Sequence, residues 1–185
     1  MRRTSFLTYL SILALIAAVV SEAEAWTEVR GWLLLVWAGL LLPVSIGLFG
    51  HPMRAPAVGL FVGVWGTIAV AVLIVLQALA IAGVLGAEWT AWPLEVVGIW
   101  IVVASLLGFG AHPFAPLVDL LGVLAGAGFI AIGAASFAGD SAVLKAAGVA
   151  AAVAYVLWAA GLGWVFWRMQ SPLRSLRGMA VEPRE

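Results

Sequence analysis

Charged residues in this chain are confined to short punctuation between long apolar runs, and that spacing constrains the fold more than any other feature. The runs at 5–20, 32–49, 57–84, 94–110, 117–137 and 142–167 each hold at most one acid or base. A helix crosses a hydrocarbon core about 30 Å thick with roughly 20 apolar residues. Backbone polar groups in lipid must be paired within their own segment, and runs this long and uniform lack the alternation of barrel strands. The expected fold is therefore all-α. It is a polytopic integral membrane protein with six transmembrane helices in three hairpins, a single transmembrane domain over 1–185, and a cytoplasmic tail at 168–185.

Composition supports this, since 65% of residues are hydrophobic and 10% are charged, with a mean hydropathy of +1.16. The formal net charge is zero, and no basic patch with interleaved aromatics is present, so no nucleic-acid partner is expected. The expected surroundings are the lipid bilayer, with a second copy or another membrane protein as candidate partner. There is no cysteine, which excludes disulfides, thiolate metal sites, iron–sulfur clusters and cysteine nucleophiles.

Basic residues orient the spans. With the N-terminus in the cytoplasm of a plasma-membrane protein, Arg2, Arg3, Arg54, Arg168, Arg174, Arg177 and Arg184 fall inside, and only Arg30 and Lys145 fall outside. Both termini are then cytoplasmic. Trp26, Trp32, Trp89 and Trp92 mark the outer interface, and Trp164 and Trp167 the inner one, where an indole finds both apolar contact and a hydrogen-bond partner. The first run has a second reading. Met1-Arg2-Arg3, about 15 apolar residues and Ala23-Glu24-Ala25 also have the form of a secretory signal cleaved after Ala25, which would leave five helices in the same orientation.

An internal likeness argues for six. Phe49-Gly50-His51-Pro52, Phe109-Gly110-Ala111-His112-Pro113 and Arg168-Met169-Gln170-Ser171-Pro172 end the second, fourth and sixth runs. Two outer turns also match, Glu24-Ala25-Trp26-Thr27 and Ala87-Glu88-Trp89-Thr90. The period is one helical hairpin, and three parallel hairpins form a threefold internal repeat around an axis normal to the membrane. Close packing is expected of helices 3 and 5 through Gly59, Gly63, Gly122 and Gly126, pairs at small-xxx-small spacing that let backbones approach.

An ionisable group deep in a span would mark a site, but none lies near a midplane. Glu95 and Asp119 follow Pro93 and Pro116 closely, as acids do in the first turn of a helix, and Asp140-Ser141 would cap the sixth. His51 and His112, with Asp119, are the weak metal candidates; two histidines without a ligand motif do not define a metal centre, and no cofactor is expected. Ser45 and Ser105 precede those histidines without a nucleophile elbow or oxyanion signature, so no catalytic residue is assigned. Two functional readings follow. The first is a non-catalytic accessory, assembly or stress-related membrane component. The second is a small permease or channel for a neutral or weakly polar solute, its path lined by Ser45, Gln77, Ser105 and Tyr155, with Pro43 freeing a backbone carbonyl.

Overall fold

The computed structural model describes residues 2–23, 27–49, 56–86, 89, 91–111, 116–139 and 141–168. They form six helices: α1 (Arg2–Ala23), α2 (Thr27–Phe49), α3 (Pro56–Ile81), α4 (Ala91–Ala111), α5 (Pro116–Ala138) and α6 (Ser141–Arg168). Five of them are long and apolar enough to cross a membrane. In α4 the apolar stretch among the described residues is the shorter Trp92–Leu107. Exposed leucine, isoleucine and valine run round the outside, including Leu13, Val36, Ile68, Leu106, Leu124 and Val153. Lipid rather than water suits such a surface, so the chain is a membrane-embedded helical bundle.

Chain reach sets the order of the helices. Three residues separate α1 from α2 and two separate α5 from α6, spans of at most about 11 Å, against helices about 33 Å long. Each such pair is therefore held close in space, and the two helices of each pack together. Each helix packs on its chain neighbours, and α1 also packs on α6, so the bundle closes into a ring. Tyr9 of α1 lies over Gly163 of α6, where a Cβ would stand 2.8 Å from the phenol ring. Ser5 of α1 bonds to Gly163 of α6 and Ser11 to Tyr155, so these two helices run antiparallel with the start of α1 and the end of α6 at one end of the bundle.

Helix ends follow local chemistry. The sequence extends the third run to Val84, but α3 stops at Ile81. Gly83 takes the left-handed conformation (φ 71°), while Gly83 N–H bonds to Ala80 O and Val84 N–H to Leu79 O. That pattern is a glycine stop, which satisfies carbonyls the helix leaves open. At the other end of that connection, α4 begins at Ala91. Pro93 is thus its third residue, where a missing N–H costs nothing.

The centre of the ring is filled by aromatic side chains. Trp37 of α2 lies 5.6 Å from Phe129 of α5 and 5.5 Å from Tyr155 of α6, ring centre to ring centre. Phe129 and Tyr155 are 6.0 Å apart, and Trp158 extends the cluster at 5.8 Å from Tyr155. These tilted and edge-on arrangements are the favourable ones for rings. Trp100 of α4 is also buried, its indole N–H donating to Val62 O of α3 at 3.0 Å, directly over Gly66. By contrast Trp32, Trp89, Trp92, Trp164 and Trp167 are exposed near helix ends.

Candidate functional site

Small residues let the staves approach. A Cβ on Gly126 of α5 would stand 2.5 Å from Gly98 O of α4, and one on Gly98 would stand 2.7 Å from Gly126 O. The two backbones touch, and neither position has room for a side chain. Gly122 meets Ser105 of α4 and Trp158 of α6 in the same way. The neighbours these glycines meet are those of the ring: α5 packs on α4 and α6, and α3 packs on α2 and α4. Uniformly apolar helices have no polar face to show which neighbour a glycine will meet. Gly63 is buried on α3, and its carbonyl accepts from Thr67 Oγ1. The surroundings of Gly59 lie outside the described residues.

The four residues read as a solute path do not meet. Ser45 donates to Leu42 O at 2.8 Å and lies 3.3 Å from Thr67 Oγ1 across the α2–α3 seam. Gln77 Nε2 donates to Gly31 O at 3.1 Å, on the same seam but further from the termini. Tyr155 lies against α1, its hydroxyl 2.8 Å from Ser11 Oγ. Ser11 already gives its one proton to Thr8 O, so Tyr155 must be the donor of that bond. Ser105 belongs to the α4–α5–α6 junction. Three of the four are occupied in joining helices. The indole N–H of Trp37 is sealed in the core without a partner among the described residues.

Sequence reasoning missed the polar face of α1. Ser5, Thr8 and Ser11 are all buried, and Ser5 Oγ donates to Gly163 O of α6 at 2.6 Å. Their spacing of three puts them on one side of an otherwise apolar helix, which was the available signal. Trp37 and Trp100 were equally legible as tryptophans in mid-span rather than at an interface.

His51 and His112 lie outside the described residues, as does Asp140. Among the described residues no group of three metal-ligating side chains occurs. Glu95 is the fifth residue of α4, past its first turn, because the helix starts at Ala91 before the proline. Asp119 does lie in the first turn of α5, but it is 2% exposed, in contrast to an ordinary solvated cap. An open cavity of about 300 Å³ lies on the outer side of the α2–α3 seam, lined by Ile46, Gly63, Val64, Thr67 and Ile68. It is apolar, as a lipid-facing groove is.

No family model, no curated protein and no solved structure matches the chain. The functional reading therefore rests on its own geometry.

Proposed function

We propose that this protein is a non-catalytic integral membrane component that works through packing and contact with partners in an accessory, assembly or stress-related role. The observation that carries this reading is the aromatic centre: Trp37, Phe129, Tyr155 and Trp158 occupy the space a conducting path would need. Ser45, Gln77 and Tyr155, the polar groups best placed to line a path, are engaged between helices.

In this reading all six helices span the plasma membrane with both termini in the cytoplasm, as the distribution of arginine requires. The three hairpins share a proline after each inner end, and the first two share an outer turn, while the third outer turn, Gly139-Asp140-Ser141, is shorter and lacks the tryptophan. Their interiors have diverged, since the positions matching Trp37 at the proline spacing are Gly98 and Leu157. The buried hydroxyls on α1 favour retention of that helix as a stave over removal as a signal.

The alternative is a small permease or channel for a neutral or weakly polar solute. It draws support from Pro43 inside α2, which has no N–H to give Gly39 O. Stopped-flow light scattering of proteoliposomes challenged with glycerol or urea decides between them. An accessory component leaves the relaxation rate equal to that of protein-free vesicles. A faster rate that scales with protein content overturns the reading in favour of the permease.

A further inference from the structure

The outer face of the α2–α3 pair carries a groove and, beside it, a ridge. The groove, of about 300 Å³, opens between Ile46 of α2 and Gly63, Val64, Thr67 and Ile68 of α3. The ridge is a row of exposed α3 side chains, Leu60, Val64, Ile68, Val72 and Val75, whose spacing of three and four residues keeps them on one side of the helix. All but Leu60 are β-branched. Such side chains hold few rotamers and lose little entropy when packed.

Gly39 on the same face has no use within a single copy of the chain. It is exposed in the middle of α2, and nothing lies within 4 Å of a Cβ placed there. A glycine inside a helix costs about 1 kcal/mol relative to alanine, yet no neighbour in the ring requires this one. Pro43, one turn further on, has no N–H to give Gly39 O. That carbonyl lies toward lipid, where no water can satisfy it. Close approach of another helix accounts for both features, because bare backbone admits contact and Cα–H groups can then donate to the carbonyl.

Heights along the two helices match ridge to hole. Ser45 stands beside Thr67, and Gly31 beside Gln77, across the α2–α3 seam. Gly39, midway between Gly31 and Ser45, is therefore level with the stretch of α3 around Val72. A twofold axis normal to the membrane preserves height, so Val72 of a second copy arrives at Gly39 while its Val64 and Ile68 arrive at Ile46 and the groove. Knob and hole occur on one surface, as a self-complementary contact requires. With Val36 and Ile46 the ridge exposes roughly 500 Å² per copy, so a pair buries about 1,000 Å², the scale at which specific interfaces begin.

We propose that the outer α2–α3 face is the contact between two copies of this chain, with α3 of each packed against α2 of the other. This supplies a partner for the accessory reading without depending on it, because association and flux are measured separately.

The test uses the full chain, purified and reconstituted at a high ratio of lipid to protein, so that a second copy is the one protein partner within reach. Val64→Cys in this cysteine-free chain, treated with a short bismaleimide, should give a covalent dimer. Leu124→Cys, similarly exposed on the outer face of α5, should stay monomeric. Adding Gly39→Leu to Val64→Cys puts bulk into space that is open within one copy, and should cut the dimer yield several-fold with unchanged melting. Val72→Ala removes the knob instead and should do the same. A monomer in Val64→Cys would mean that acyl chains fill the groove, and it overturns the proposal. Equal cross-linking of Leu124→Cys, or a yield that neither Gly39→Leu nor Val72→Ala lowers, overturns it as well.

Discussion

Ser5 on α1 donates to the carbonyl of Gly163 on α6 at 2.6 Å, although 158 residues separate them in the chain. With the Tyr155–Ser11 bond on the same seam, it ties the first helix to the last. Hydrogen bonds between helices in membranes contribute about 0.5 to 1.5 kcal/mol each. Ser5→Ala should therefore lower stability by about that amount. A double-mutant cycle on Ser11→Ala and Tyr155→Phe should give a coupling of about 0.6 kcal/mol, read by unfolding in mixed micelles.

The Gly98–Gly126 contact should tolerate no bulk. Gly126→Leu must drive a side chain into Gly98 O and Val102, and the yield of folded protein in detergent should collapse. Gly148→Ala has the opposite expectation. Nothing lies within 4 Å of a Cβ there, so relief of glycine's backbone entropy should leave the protein neutral or up to about 1 kcal/mol more stable. Equal melting of the two variants would mean that the α4–α5 seam is not close-packed.

Trp37 separates packing from hydrogen bonding. Its N–H has no partner among the described residues, so Trp37→Phe removes an unsatisfied donor and retains most of the ring; the change should cost under about 1.5 kcal/mol. Trp37→Ala removes the wedge between Phe129 and Tyr155 and should cost about 3 to 5 kcal/mol. Thermal melting of the pair checks both, and a large loss in the phenylalanine variant would assign the indole N–H a role the packing does not show.

The helices were legible in the sequence because apolar length alone specifies them, but not all their ends: the third run reads past Gly83 to Val84, since an apolar count does not register the glycine stop that ends α3 at Ile81. Which helix meets which was not legible either. An amphipathic stripe normally names the buried face, but these helices are apolar all round. The glycines of α5 were therefore recognised without their partner Gly98, and Asp119 was placed in a first turn without any sign that this turn faces inward. The spacing of Ser5, Thr8 and Ser11 was visible, yet its meaning depends on α6, which follows more than a hundred residues later.

Topology can be mapped cleanly because the chain has no native cysteine. Single cysteines at Gly86 and at Arg177 should react oppositely with a membrane-impermeant maleimide. Gly86→Cys should label in intact cells, and Arg177→Cys only in inverted vesicles. Labelling of Arg177→Cys from outside would reverse the orientation.

The account stands on a closed ring in which α1 is the stave that meets α6, and the most direct test is the intact mass of the protein purified from membranes. Retention of α1 predicts a chain that keeps residues 2–25, with a mass near the full 19.3 kDa. A mature species beginning at Trp26 would remove Ser5, Ser11 and the whole α1–α6 seam, and would contradict it.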